Sequence, residues 1–221
     1  MPAPFDLLPI LLKGLPATLA VTVGGIAVAL VSALLAGLGR SSRDPIVRWT
    51  SIFYIETFRG VSAIVLLYWF FFALPLLTGL RLPAILAGIV VLGLNIGAYG
   101  AEVVRAAIES VPPGQRQAAK ALNLSAWQTM RYVVLPQAAL AATPPLGNLM
   151  IELLKSTALV SMITVVDLTQ MGMFLRTETH RSLAIFSMLL LIYFVLSQCI
   201  ALTVRLVEWR LSHGQDYGGT R

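Results

Sequence analysis

Charge and cysteine are scarce in this chain. Of its 221 residues 57% are hydrophobic and only 12% charged, and the mean hydropathy is +0.83. A soluble domain carries about twice that charged fraction, so the composition excludes one and points to an integral membrane protein. Cys199 is the single cysteine. It rules out an intrachain disulfide and a cysteine-based zinc site. The two histidines, His180 and His213, are too far apart to pair on a helix, which leaves no clustered metal ligands and no Ser-His-Asp machinery. No GxxxxGK[ST] run occurs. Work driven by ATP would therefore need another subunit to bind the nucleotide. Repeats and low-complexity tracts are absent. The first thirteen residues lack a basic n-region, and no small-residue cleavage site follows the first apolar run, which is read as a retained anchor and not a signal peptide.

What the chain has in abundance is long apolar runs. Five are of spanning length, about 18–38, 61–78, 83–105, 138–160 and 183–207, near the ~20 residues needed to cross ~30 Å of hydrocarbon. The predicted class is an all-α integral membrane protein with five transmembrane helices. Residues 1–13 precede the spans, 14–208 hold them, and 209–221 form a basic tail. Ile46 to Phe58 mixes apolar with charged residues and reads as an interfacial helix, with Gly60 as the joint into the second span. Val160 to Arg181 reads as a partly helical extramembrane loop.

Five spans put the two ends of the chain on opposite sides, so charge decides the orientation. Arg40, Arg43, Arg48, Arg59, Arg105, Arg116, Lys120, Arg131, Arg205, Arg210 and Arg221 fall on one side. The other holds Lys13, Arg81, Arg176 and Arg181, with Lys155 inside a span. The basic side is expected to be cytoplasmic: N-terminus out, C-terminus in, and residues 111–136 inside the cell. The basic excess, +6 overall, is explained by this bias and does not call for nucleic acid.

Residues 111–136 are the one long polar interval. Pro112 and Pro113 suit a helix entrance, so a first helix is expected over Gly114 to Leu122. Asn123 tolerates positive φ and should close it. Ser125 with Gln128 makes a capping-box pattern that starts a second helix at Ala126, and Pro136 is expected to end that helix by disfavouring the helical conformation at Leu135. Ala118, Ala119, Leu122, Trp127, Met130, Val133 and Val134 recur at helical spacing, which suggests a folded, partner-facing loop, and Trp127, Met130 and Val133 would be poorly placed without a partner to cover them.

QAAKALNLSAWQTMRYVVLP resembles the EAA loop of ATP-binding-cassette (ABC) importer permeases: EAA, three residues, Gly, nine residues, Ile, one residue, Leu-Pro. Gln117, Ala118, Ala119, Val133, Leu135 and Pro136 fall in register. Gln117 stands for the family's Glu and Asn123 for its Gly. Asparagine should keep the turn, while glutamine can offer only a neutral hydrogen bond where the family has a charge. GLPATLAVT, YIETFRG, NIGAYGAEVVRAAIESV, LPQA and KSTALVSMITVVDL extend the likeness, in the family's order, to the polar amino-acid group of these permeases. Ser62 replaces the proline of the common RGTPLL continuation and should leave the second span straighter at its entrance. The resemblance implies a type I importer transmembrane domain in the bacterial inner membrane whose 111–136 loop is a coupling helix. Gly114, Gln115, Arg116, Gln117, Ala118, Ala119, Lys120, Asn123, Trp127 and Pro136 would mark its contact with the ATPase.

Two polar stripes cross the spans. Asn95, Tyr99 and Glu102 are spaced i, i+4, i+7, and Asn148, Glu152 and Lys155 repeat that spacing. Such stripes are costly in lipid and should face each other or a wet cavity. One reading has them satisfy one another, Glu152 with Lys155 and Glu102 with Arg105. The other has the glutamates receive a cationic group, and Lys155 with Asn95 a carboxylate. Lys155 and Thr157 match the family's KDTSL motif, with Ser156 in place of its Asp; the lost charge argues against a dibasic amino acid. Overall similarity is to permeases for ectoine-like zwitterions, with glutamine, glutamate or histidine as alternatives.

The resemblance implies a second permease, identical or not, two cytoplasmic ABC ATPases holding ATP and Mg, and an extracytoplasmic binding protein, with no cofactor and no catalytic residue in this chain. A passive channel would share the spans and stripes yet have no use for a capped helix pair. A plain membrane anchor would not need intramembrane Glu and Lys.

Overall fold

The structure, a computed structural model, describes residues 5–42 and 44–213. Residues 1–4 of the expected N-terminal segment, Arg43, and residues 214–221 of the expected tail, Arg221 included, lie outside the described residues. All regular structure among those described is helical. In chain order it comprises α1 (Leu8–Arg40, with a 3₁₀ turn at Leu12–Gly14), α2 (Pro45–Gly60), α3 (Ala63–Thr78), α4 (Ala84–Ser110), α5 (Pro113–Ala121), α6 (Ala126–Ile163), α7 (Leu168–Thr179) and α8 (Ser182–His213).

By length and hydropathy α1, α4, α6 and α8 can each cross a membrane, and the bent pair α2 and α3 makes a fifth crossing if taken as one span. Each expected span falls on one of these helices. The second differs most from expectation. Val61 and Ser62 both take extended backbone, φ/ψ of −112°/140° and −60°/136°, so α2 and α3 meet at a 104° corner. Replacing the family's proline with Ser62 therefore does not straighten the entrance, because two consecutive extended residues break the helix without one. The joint is Val61–Ser62 and not Gly60, which is the last helical residue.

Helices α1 and α4 form the centre, and small residues let them approach closely. A β-carbon at Gly37 would lie 2.8 Å from the carbonyl oxygen of Ala101, and one at Gly93 2.6 Å from Val28. At one end Val21, Leu67, Val91, Leu92, Val160 and Ile163 bury one another. At the other, Ala33, Val104, Ile108, Val134 and Ala138 do the same. A third cluster, with Leu11, Leu168, Ile185 and Leu189, holds α7 between the start of α1 and α8. Leucine, valine and phenylalanine side chains project outward along α8 and α2, Phe53 and Leu190 among them. Water would penalise such a surface; hydrocarbon does not.

Two helices contain a wider, five-residue turn, and in both the next residue but one is proline. In α3 the Leu74 N–H donates to the Trp69 carbonyl, just before Pro75. In α6 the Leu135 N–H donates to the Met130 carbonyl, just before Pro136. Pro136 thus does not stop the second loop helix. The wide turn opens the backbone where the ring would collide with the preceding turn, and Leu135 stays helical at φ −60°, ψ −41°. The Gln137 side-chain amide donates to the Val133 carbonyl at 2.9 Å, filling one of the acceptors exposed there. Loop helix and fourth span are one continuous α6.

Candidate functional site

The loop folds from its own local chemistry. Pro112 leads into α5 with an extended ψ of 137°, and Pro113 is its first residue. The helix closes at Asn123, φ 56°, with the Asn123 N–H donating to the Lys120 carbonyl at 3.0 Å and the Leu124 N–H to the Ala119 carbonyl at 3.1 Å. That bond pair is a Schellman closure, with asparagine where glycine is usual. Ser125 accepts from the Gln128 N–H at 3.2 Å, and the Gln128 side chain accepts from the Ser125 N–H at 2.8 Å. The capping box is complete.

The apolar stripe divides between two faces. Ala119 and Val134 are buried, and Met130 packs with Val134 against the end of α4. The outward face carries Leu122, Trp127 at 67% exposure and Tyr132. Of the three positions expected to need a partner's cover, Trp127 is exposed, whereas Met130 packs inward and Val133 is half-buried; the inward residues seat the loop on the bundle. Gly114, Gln115, Gln117, Ala118, Lys120, Asn123 and Pro136 are exposed. Arg116 also binds inward, its Nη2 donating to the Ile108 carbonyl at 2.8 Å, which satisfies a carbonyl near the C-terminal end of α4. Arg131 lies over the Trp127 ring at 5.9 Å, and Tyr132 meets that ring edge-on at 6.5 Å. Periodicity missed both neighbours; one helical turn around the exposed Trp127 would have reached them. Between α5 and α6 lies a cleft of about 600 Å³, lined by Arg116, Lys120, Thr129 and Met130.

The two polar stripes do not face each other. Asn95, Tyr99 and Glu102 of α4 point to α2 and the end of α1. Asn95, 7% exposed, donates from Nδ2 to the Phe58 carbonyl at 2.6 Å. Tyr99 donates to the Arg59 carbonyl at 3.4 Å. Glu102 accepts from Arg40 and from Arg105 Nε at 3.0 Å, while Arg105 also pairs with Glu109 at 2.6 Å. The mutual pairing weighed for Glu102 and Arg105 is present, enlarged by Arg40. Asn148, Glu152 and Lys155 instead lie exposed on α6. They lie on a face of α6 flanked on one side by Leu149 and Leu153, which pack toward α1 and α4, and on the other by Gly147, against which α8 places Val204. Glu152 and Lys155 form no ion pair among the described residues. Ser156 is half-buried, and the wholly buried Thr157 donates to the Leu154 carbonyl at 2.7 Å.

At the end away from the loop, Asp167 is fully buried. Its Oδ1 accepts the Gln170 N–H at 2.9 Å to cap α7, and Tyr193 of α8 donates to Oδ2 at 3.4 Å. Thr18 of α1 accepts the Leu168 N–H at 3.1 Å, and a side chain on Gly14 would strike the Asp167 backbone. Burial pushes the Asp167 carboxyl above its ordinary range, opposed by the backbone N–H groups of Gln170 and Thr169.

Set beside known proteins, residues 25–213 match the family described as the binding-protein-dependent transport system inner membrane component. The chain belongs to that family. It is thus a multi-pass transport component of the inner membrane, and its fold is that of the type I ABC importer permeases. It is 46% identical over 177 residues to the probable amino-acid ABC transporter permease protein y4tF of Sinorhizobium fredii, covering 78% of this chain and 74% of that one. It is 37% identical over 205 residues to the glutamine transport system permease protein GlnP of Escherichia coli, covering 92% and 94%. Among solved structures, a chain from an amino acid ABC transporter crystallised with histidines superposes with a TM-score of 0.85 at 32% identity, covering 95% of this chain and all of that one.

Proposed function

We propose that this permease moves a small polar amino acid into the cytoplasm, in company with a second permease, two ATPases and an extracytoplasmic binding protein. The observation that carries the coupling part is the rigid path from loop to span: α5 is locked to α6 by the Asn123 closure and the Ser125 cap, and α6 runs on as the fourth span. ATP-driven motion of a partner docked on Gln115, Gln117, Lys120 and Trp127 would pass into the membrane without an intervening flexible segment. A passive channel has no need of such a path. The basic excess on the loop side supports N-terminus out and loop in. Asn148, Glu152 and Lys155 form an outward-facing polar surface on a span. A second permease would enclose it as the wall of an aqueous path. Relatives named for glutamine and L-cystine favour an amino acid over the ectoine expected from overall likeness, with glutamine first.

The test reconstitutes the assembled importer in liposomes and replaces Gln115 to Leu122 with a flexible polar linker. Uptake of radiolabelled glutamine should fall at least tenfold while the protein remains folded and inserted. Uptake that persists without bound ATPase would sink the importer reading, and uptake of ectoine but not of glutamine or histidine by the unaltered complex would reverse the choice of substrate.

A further inference from the structure

Glu152 and Lys155 are exposed on a span, and their depth follows from the residues beside them. Leu153 packs with Ile96 of α4 and Ala29 of α1, and a β-carbon on Gly25 of α1 would lie 3.1 Å from the Leu153 side chain. Ile96 is near the middle of Ala84–Ser110, and Gly25 is near the middle of Leu8–Arg40. Glu152, adjacent to Leu153, is therefore at mid-span, with Lys155 ~4.5 Å further along α6. Neither forms an ion pair among the described residues, although i, i+3 spacing would let them reach one another.

Both belong to one continuous face. Ala141, Pro144, Asn148, Glu152 and Lys155 are all exposed, and helical spacing keeps them on one side of α6. Toward the loop, Ala141 and Pro144 carry no long side chain, which lets another helix come close. At mid-span the face holds one charge of each sign. Such a surface is complementary to a copy of itself, as a two-fold contact requires.

We propose that the second permease is another copy of this chain, and that Glu152 of each copy pairs with Lys155 of the other across a two-fold axis along the membrane normal. The axial offset of ~4.5 Å is within the span of the two side chains. Asn148 meets its own copy, and its amide can both donate and accept there. Two reciprocal pairs leave no net charge at a depth where an isolated charge is costly. They bridge the aqueous path at its middle: when formed they close it at that level, and solute passes when the two α6 helices part. The inference rests on the importer reading above and deepens it by naming the partner and the contact.

The experiment co-expresses two differently tagged copies of the full chain, both Cys199→Ser, with the other components of the importer, and isolates complexes bearing both tags. No such complex would overturn the second-copy assignment in favour of a different permease chain. Glu152→Cys in one copy and Lys155→Cys in the other should be joined by a short bis-methanethiosulfonate at least tenfold more than Glu152→Cys with Leu191→Cys; equal joining would overturn the contact. Charge exchange in liposomes then tests the pairing, with radiolabelled glutamine, histidine and ectoine as probes. Glu152→Lys in both copies, or Lys155→Glu in both, should lower uptake at least tenfold. With Glu152→Lys in one copy and Lys155→Glu in the other, each copy bears two like charges but every pair between copies is opposite. Uptake should return to within threefold of wild type. Failure to recover would overturn the pairing, because neither a pair within one helix nor separate contacts to solute can be mended in this way. Wild type that takes up none of the three probes would sink the amino-acid reading, while the cross-link would still decide the contact.

Discussion

Asp167 joins α7 and α8 through one buried carboxylate, and its effect on stability has a sign that can be worked out. Burial raises its folded-state pKa above the unfolded value, so the folded protein holds this proton more tightly. The resulting stabilisation is greatest below the ordinary carboxylate range and is lost as pH rises toward the raised value. Asp167→Asn keeps an oxygen for the Gln170 N–H and removes the titration. Its thermal midpoint in detergent, relative to wild type, should therefore rise between pH 4 and pH 8; a constant difference across that range would refute the assignment. At Asn123 local chemistry was enough to read the outcome, since few residues tolerate positive φ and the following Ser125 and Gln128 already marked a new helix. Asp167 was not legible in the same way, because Gly14, Thr18 and Tyr193 reach it from distant parts of the chain.

In the loop, the entrance at Pro112–Pro113, the close at Asn123 and the start at Ser125 were readable, and the stop expected at Pro136 was not. Pro113, Asp44 and Ser125 begin helices by mechanisms contained in a few neighbouring residues. Pro136 should by the same local logic end one, yet a wide turn absorbs its ring, and tertiary packing of Val134 and Ala138 holds the helix together through it. Val61 and Ser62 show the reverse case, a corner without proline. The capping box invites a direct check: Ser125→Ala should cost about 1 kcal/mol locally. Hydrogen exchange at Ala126 to Gln128 should quicken several-fold while exchange within Leu135–Ser156 is unchanged. Faster exchange throughout α6 would show that the cap controls the whole helix and not its first turn.

Across the whole molecule the five spans and the all-helical class were legible, because a bilayer imposes length and apolarity on each span separately. Which way the polar stripes point was not, since that depends on how small residues set the α1–α4 contact. The outward stripe yields a further prediction. In a Cys199→Ser background of the assembled importer, Glu152→Cys should react with a water-soluble maleimide at least tenfold faster than Leu191→Cys, on the apolar face of α8. Equal rates would remove the aqueous wall assigned to α6. The paired wide turns have one more consequence. Each stores a surplus residue relative to a regular helix, and one residue corresponds to about 100° of rotation. The azimuth at which Trp127, Arg131 and the cleft are presented relative to the fourth span is thus set by a residue count and not by any side chain. Substitutions in 129–134 would alter how strongly the proposed ATPase partner is held. Only a change in the length of that turn re-aims the grip.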